Sequence, residues 1–234
     1  MKSIILSHFK NELPETFEKY FIHLLDEKGM DIVSEMVSHM VSKDSESAKE
    51  HIERRHLSIE ESDMVETALN TGQSQGAFAF TYRSPMNFDD LSDCILDALY
   101  ENANIIASQY ADGIGNFNLN ISSEYKNPIG YGINSNFDLI KSNKLEVVLK
   151  ESDDLFSPIG LRIDTCYPVI STQSKDIIKS KEALINEYQI SENDMARYKF
   201  KQEKRVHFAN TKNQQNFEKL KSLEEFEIKK TFGR

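Results

Sequence analysis

The apolar residues of this chain change their spacing once, near residue 112, and this change does most to limit the possible folds. Before it, apolar residues recur at the three- and four-residue spacing of amphipathic helices, with one alternating run at 76–83. After it, strand-like alternation or short apolar runs occupy the segments 117–121, 128–133, 144–149 and 160–169. Because only short polar loops separate these segments, we expect antiparallel pairing. Helices followed by strands predict an α+β domain that ends near Val169.

Composition divides the 234-residue chain into three regions. Residues 1–43 carry two apolar stripes at helical spacing, with Gly29 as the expected end of the first helix. A polar break follows, so we expect a helical region at 1–43 and a main domain at 44–170, in which helices pack on a small antiparallel sheet. Residues 171–234 are net basic and are expected to be mainly helical. Their block 197–205 either tracks a phosphate backbone or packs back on the acidic body.

Two histidines, His51 and His56, lie five residues apart and flank two arginines. Five residues of α-helix turn through roughly 500°, which leaves the two rings about 140° apart. We therefore predict a chain break between them, with a capping box of Ser58 and Glu61 that begins the next helix at about Ile59. A tight bend would bring both rings to one point, and a helix C-terminus favours protonated imidazole. The alternative is a pair of ordinary polar residues on a solvated helical hairpin, and the spacing does not match the histidine pattern of zinc proteases.

The last predicted strand carries a second polar pair. Strict alternation places Leu161, Ile163, Thr165, Tyr167 and Val169 on one face and Arg162, Asp164 and Cys166 on the other. Thr165 and Tyr167 are two residues apart, so both could bond one phosphate or one ribose. The alternative is strand propensity, since threonine and tyrosine are both common in strands.

These segments together resemble a known group of bacterial toxins. The spacing His51-Ile-Glu-Arg-Arg-His56, a following helix and a closing strand are similar to the ribonuclease A-like toxin domains of contact-dependent growth inhibition and other polymorphic toxins. Those domains belong to the wider barnase, EndoU and RelE-like superfamily. They carry a glycine-bearing strand, a Val-Val-Leu strand and a final Thr-Ala-Tyr-Pro strand, which correspond here to 129–133, 147–149 and 165–168. The resemblance covers about residues 48–170.

The resemblance implies cleavage of RNA, and of tRNA in particular, without a metal or cofactor. The 2′-OH would attack the adjacent phosphate and leave a 2′,3′-cyclic phosphate. It implies His56 as general base, His51 as acid or phosphate contact, and Thr165 and Tyr167 as phosphate ligands, with Tyr167 a second candidate acid. Histidine suits such work because its ordinary pKa is about 6.5. A cognate immunity protein, delivery by a secretion system and action in the bacterial cytoplasm are further implications.

Two departures from the family pattern concern the positive charge. Family members commonly have an arginine about eleven residues after the second histidine, and this chain has Thr67 there. The substrate-binding cation would then be Arg54, Arg55, Arg83 or Lys144. The net charge of −10 is also unusual for the group. Either the basic tail supplies RNA affinity, or a protein partner positions the substrate, or activity has been lost.

The acidic balance supports a hypothesis of another class, a non-catalytic interaction or immunity-type protein that binds a basic partner. Acidic residues concentrate on the predicted helix at 88–106, namely Asp89, Asp90, Asp93, Asp97 and Glu101. Cys94 and Cys166 are far apart and indicate no disulfide framework. No segment approaches the ~18 apolar residues of a membrane span, and the N-terminus lacks the apolar region of a classical signal peptide.

Overall fold

The computed structural model describes residues 14–38, 47–57, 59–81, 84–112, 117–152 and 159–211. Its helices are α1 (Pro14–Lys28), α2 (Met30–Val37), α3 (Ala48–Ile52), a π-helical turn (Glu53–Leu57), α4 (Glu61–Thr71), α5 (Phe88–Glu101), α6 (Ala103–Asp112), α7 (Lys181–Glu187) and α8 (192–211). Its strands are β1 (Gln75–Thr81), β2 (Ser84–Pro85), β3 (Asn118–Glu124), β4 (Gly130–Ile133), β5 (Leu139–Ser142), β6 (Lys144–Glu151), β7 (Leu161–Pro168) and β8 (Ile177–Lys179). No helix of these ranges is long and apolar enough to cross a membrane.

Helices and antiparallel strands confirm the predicted α+β class. The described strands form two sheets, one in the order β2-β1-β4-β5-β8 and the other in the order β3-β6-β7. The sequence predicted a single small sheet and missed β2, β5 and β8, which span only two, four and three residues. Segments this short carry too few alternating positions to stand out from a loop.

Some helices begin or end where the sequence predicts, and others do not. Gly29 separates α1 from α2 with a φ of +50°, and Asn87 caps α5 by accepting from the Asp90 amide at 2.8 Å, as predicted. The start of α4 was predicted wrongly, because its capping box is formed by Glu60 and Asp63. Ser58, the predicted cap, lies outside the described residues. The predicted long helix at 88–106 is also interrupted, between α5 and α6.

The first hydrophobic core joins the N-terminal helices to the three-stranded sheet. The ring of Phe17 on α1 stacks on that of Tyr110 on α6, with centroids 4.3 Å apart. α5 buries Ile95 and Leu99 against the inner face of the sheet, where β6 contributes Val147. α1 and α2 thus share a core with the predicted main domain, while the division of the chain at residues 43 and 170 stays a prediction.

The second core lies between α4, the five-stranded sheet and the chain beyond residue 171. Tyr198 of α8 is fully buried there, and its ring meets that of Phe137 with centroids 5.0 Å apart. Its hydroxyl donates to the carbonyl oxygen of Asn134 at 3.2 Å. Of the two predictions for the block 197–205, packing on the body therefore holds for Tyr198.

Two cations of α8 bind the C-terminal end of α4 and so fix the position of α8 across it. Lys201 donates to the carbonyl oxygen of Asn70 at 2.8 Å, and Arg205 donates to that of Thr71 at 2.8 Å. These are carbonyls that a helix leaves without partners at its C-terminus. Gly72, with a φ of +68°, ends α4, and a Cβ there would lie 2.8 Å from the Cβ of Lys201. Glycine therefore permits both the turn and the close approach of α8.

Lys179 of β8 binds α4 to the tail through two carboxylates. Its Nζ lies 2.7 Å from Glu61 Oε1 and 2.8 Å from Glu187 Oε2, and the hydroxyl of Tyr188 donates to Glu61 at 3.0 Å. Burial lowers the pKa of Lys179, but the hydrogen bonds to Glu187 and Glu61 outweigh it and raise the pKa above the ordinary value. Lysine therefore stays charged at neutral pH.

We expect Lys179→Met to lower the free energy of unfolding by about 2 kcal/mol, between the values for exposed and buried ion pairs. The reason is that Glu61, whose side chain is only 15% exposed, would lose its cation. Urea denaturation measures the change, and Lys175→Met, at an exposed lysine before β8, is the control. Equal stability of the two variants would contradict a role for the ion pair.

Glycines bring the two sheets together at the end of β7. A Cβ on Gly130 would lie 2.7 Å from Pro168 Cβ, and a Cβ on Gly76 would lie 2.8 Å from Ile170 Cγ1. Contacts this short do not occur between real side chains, so any larger residue would separate the sheets. The glycine-bearing strands therefore place the last residues of β7 directly beside β1.

Candidate active site

His51 and His56 lie on one continuous helical segment, so the predicted chain break between them is wrong. Ser47 and Glu50 form the capping box that starts α3, and α3 continues directly into the π-helical turn. π-helical hydrogen bonds run from residue i to i+5, and this winding brings residues five apart toward one face. The two imidazole centroids are 6.4 Å apart. Buried Ile52 and Leu57 anchor the segment in the first core.

His56 is held by the backbone of β1. Its Nδ1 lies 3.1 Å from the carbonyl oxygen of Gly76. A carbonyl only accepts, so Nδ1 carries the proton and the lone pair of the neutral ring lies on Nε2. Burial lowers the pKa of His56 to about 4, against the opposing effect of the Gly76 bond and with smaller contributions from His51 and Arg55. The expectation that a helix end favours protonated imidazole is therefore wrong for His56, because burial outweighs it.

A β-bulge in β7 reverses the predicted faces of that strand. Ile163 pairs with Leu149 and Thr165 with Val148, so Asp164 is an extra residue in β7. Leu161, Ile163 and Cys166 consequently point into the first core. Thr165 and Tyr167 share a face, as predicted, but it is the face opposite to Leu161 and Ile163. They lie on the outer side of the three-stranded sheet, where the centroid of the Tyr167 ring is 6.1 Å from that of His56.

Glu146 joins the site through Tyr167 and was not singled out from the sequence. Its Oε1 accepts a short hydrogen bond from the Tyr167 hydroxyl and another, at 2.8 Å, from Asn120 Nδ2. Burial, followed by the bond to Glu146 and its charge, raises the pKa of Tyr167 to about 12, so the phenol keeps its proton at neutral pH. The available signal was a charged residue inside the apolar run of β6. Only the register shows that Glu146 lies opposite Tyr167.

Thr165 presents a hydroxyl with unused bonding capacity. Its Oγ1 is buried and has no hydrogen-bond partner among the residues that the structure describes. A buried polar atom without a partner costs about 1–3 kcal/mol, and such atoms cluster where a ligand completes the bonding. Thr165 lies on the same face of β7 as Tyr167, whose own hydroxyl proton is donated to Glu146.

The predicted substrate-binding cations are dispersed. Arg54 and Arg55 are exposed on the π-helical turn, and Arg55 is close enough to lower the pKa of His56. Lys144 is exposed at the start of β6, and Arg83 lies outside the described residues. The structure thus places Arg55 within electrostatic range of His56.

Two further cations on the outer face of the three-stranded sheet already pair with the carboxylate of Asp164, the extra residue of the bulge. Lys150 Nζ lies 2.6 Å from Asp164 Oδ2, and Arg162 Nη2 lies 3.8 Å from Asp164 Oδ1. The sequence predicted that Asp164 lies on the face opposite to Thr165. In the structure, its carboxylate neutralises the positive charge of Lys150 and Arg162 on the outer face. Within the described ranges, no three His, Cys, Asp or Glu side chains are grouped so that they could hold a metal ion.

The acidic face of α5 lies away from this site. Asp89, Asp93 and Asp97 are exposed, while the apolar side of α5 packs on the inner face of the three-stranded sheet. Burial, with the charges of Glu101 and Asp93, raises the pKa of Asp97 above its ordinary value. The sheet therefore separates the acidic helix from Thr165 and Tyr167.

No family model and no curated protein matches the chain. Among solved structures, one chain of a structure titled "CdiA-CT/CdiI complex from Y. kristensenii 33638" is similar to this chain, with a TM-score of 0.42 and 20% sequence identity. The superposition covers 51% of this chain and 99% of that chain.

Proposed function

We propose that the protein is an endoribonuclease toxin that cleaves RNA by attack of a 2′-OH on the adjacent phosphate. The observation that carries the proposal is the position of the His56 ring, 6.4 Å from that of His51 and 6.1 Å from that of Tyr167. The rings of His51 and Tyr167 are therefore both next to the ring of His56.

His56 is the general base of this proposal. The Gly76 carbonyl fixes the proton on Nδ1, so Nε2 is the nitrogen that accepts the proton of the 2′-OH. With a pKa of about 4, the ring is neutral at pH 7 and ready to accept. General base catalysis of this kind contributes roughly 10²–10⁴-fold to a rate.

The remaining steps need a proton donor and groups that bind the phosphate. As the 2′-oxygen forms its bond to phosphorus, the bond to the 5′-oxygen breaks, and the leaving oxygen takes a proton from His51 or Tyr167. The Tyr167 proton is donated to Glu146 in the resting site, so Tyr167 acts as the acid only after its O–H turns from Glu146 to the leaving oxygen. The Thr165 hydroxyl donates to a phosphate oxygen. Arg55 supplies positive charge, the role of the family arginine that Thr67 replaces. The products are a 2′,3′-cyclic phosphate and a 5′-hydroxyl.

The pH dependence of cleavage tests the role of His56. Because the base must be unprotonated, we expect kcat/KM to stay constant down to about pH 5 and to fall tenfold per pH unit below about pH 4. If Tyr167 is the acid, no basic limb appears below pH 10. The measurement is kcat/KM on an RNA oligonucleotide from pH 3.5 to 9, with circular dichroism at each pH to confirm folding. An acid limb near the ordinary histidine value of about 6.5 would contradict the assignment.

Digestion of total tRNA tests the proposed reaction. In this proposal the substrate is a tRNA in the bacterial cytoplasm, no cofactor takes part, and a cognate immunity protein protects the producer. Purified protein with total tRNA in EDTA should release discrete fragments that end in cyclic phosphate. Intact tRNA at high protein concentration would count against the proposal.

The exposed acidic face of α5 favours a second candidate function, capture of a basic protein. Asp89, Asp93 and Asp97 give that face a negative field, in a chain whose net charge is −10. Under this alternative the protein binds a basic partner and cleaves nothing. Substitution of the three aspartates by asparagine would then abolish partner binding, whereas His56→Ala would leave it unchanged.

A further inference from the structure

We propose that an exposed stripe on α8 binds single-stranded RNA, an inference that rests on the ribonuclease function proposed above. The stripe consists of Arg197, Phe200, Lys204 and Phe208. At about 100° per residue the four side chains lie within roughly 80° of arc, and the centre of this arc is roughly 120° around the helix from buried Tyr198. The stripe is therefore apart from the side of α8 that packs at Tyr198, and its later residues belong to a part of the helix, 203–211, that is exposed.

Cations and aromatic rings alternate along this stripe. Phe200 is 66% exposed and Phe208 is 71% exposed, a high value for aromatic side chains on a folded surface. At a rise of about 1.5 Å per residue, the stripe is roughly 16 Å long. Surfaces that bind single strands use this combination, with bases stacked on rings and phosphates near cations.

The charge of the stripe is not cancelled by its own helix. The acidic residues Glu192, Asp194 and Glu203 of α8 fall outside the arc. Arg197 lies 3.9 Å from Asp194, but its side chain is 75% exposed, and ion pairs of this kind are weak. The guanidinium thus stays accessible to a phosphate.

The stripe lies close to the proposed cleavage site. Lys201, on the neighbouring edge of α8, contacts Gly72, which precedes Gly76 by four residues. Four residues span at most about 14 Å, so α8 approaches His56, which is bonded to Gly76, to within roughly 20 Å. An RNA strand in the site can therefore reach the stripe.

RNA fits this surface better than a protein partner does. The cores of protein interfaces are depleted in charged residues, and here every ring of the stripe is next to a cation. The body of the protein is acidic, with a net charge of −10 for the whole chain, and repels a polyanion. A local row of cations and rings would offset that repulsion where the strand lies.

The test measures RNA binding in a His56→Ala background, which prevents cleavage. The probe is a fluorescein-labelled single-stranded RNA, and the readout is fluorescence anisotropy at several salt concentrations. We expect Phe200→Ala with Phe208→Ala to raise Kd at least tenfold, since each stacked base contributes substantially. We expect Arg197→Ala with Lys204→Ala to raise Kd and to reduce the slope of log K against log salt by about 1.4.

A matched control replaces an exposed aromatic ring and an exposed cation elsewhere. Phe80→Ala with Lys19→Ala should change Kd less than twofold, and circular dichroism should confirm that every variant is folded. If the stripe variants bind RNA with the Kd of the parent while the wild type cleaves RNA, RNA binding by the stripe is refuted and the proposed ribonuclease function is retained. If the parent binds no RNA and the wild type cleaves none, both fail. Stripe-dependent binding of polyglutamate with no RNA binding would identify an acidic protein as the occupant and overturn the proposal.

Discussion

Replacing His56 with alanine is expected to reduce kcat/KM for RNA cleavage by about 10²–10⁴-fold. Alanine removes the Nε2 lone pair that accepts the 2′-OH proton. The measurement is initial rate on an RNA oligonucleotide, accompanied by a thermal melt. His23→Ala is the matched control, because His23 is exposed on α1 next to Glu27 and should affect neither quantity.

A second variant separates chemistry from folding. The alanine substitution also removes the donor to the Gly76 carbonyl, and this loss lowers stability. In His56→Asn the side-chain amide can replace Nδ1 as that donor but offers no basic nitrogen. We expect the asparagine variant to keep the wild-type melting temperature and to lose activity like the alanine variant. Wild-type activity in a folded asparagine variant would refute the role of His56.

Gly132→Ala is expected to give the largest loss of stability, about 3 kcal/mol or more. A Cβ on Gly132 would lie 2.0 Å from the Gln75 carbonyl oxygen and 2.7 Å from Gly76 Cα, and these backbone atoms cannot move without separating β4 from β1. For a chain of this length we expect the melting temperature to fall by roughly 6–12 °C. Because Gly76 also binds His56, cleavage should fall even below the melting transition.

The control for this variant isolates backbone strain from steric overlap. Gly29 has a φ of +50°, but a Cβ there would have no atom within 4 Å. Its ψ of −123° puts it in a sparsely populated backbone region, so Gly29→Ala should cost backbone strain alone, about 1–3 kcal/mol. A loss at Gly29 equal to that at Gly132 would show that the close approach of β1 and β4 is unimportant.

Local patterns were sufficient to predict much of the fold. The Asn87 cap, the stop at Gly29 and the strands at 144–149 and 160–169 are encoded by residues within one turn or one strand of each other, and the structure confirms them. The division into two sheets was not predictable in this way. It depends on contacts such as that between Gly130 and Pro168, which are far apart in the sequence.

The candidate active site was likewise only partly predictable from local sequence patterns. The sequence identified His51, His56, Thr165 and Tyr167, and the structure places His56 near both His51 and Tyr167. It could not show the π-helical winding that aligns the histidines, the bulge at Asp164, or Glu146 opposite Tyr167. A bulge has no residue signature and shifts every later side chain to the other face. Burial of His56, which lowers its pKa, likewise arises only when β1 packs on the helical turn.

The most direct test of the proposed reaction changes one atom of the substrate. Once the cleavage position is mapped, an RNA oligonucleotide is compared with a version that carries a 2′-deoxy sugar on the 5′ side of that position, both in EDTA. Attack by the 2′-OH predicts that the RNA yields a 2′,3′-cyclic phosphate and that the deoxy substrate is not cut there. Cleavage of both substrates at similar rates would contradict the mechanism, because the nucleophile would then not be the 2′-OH.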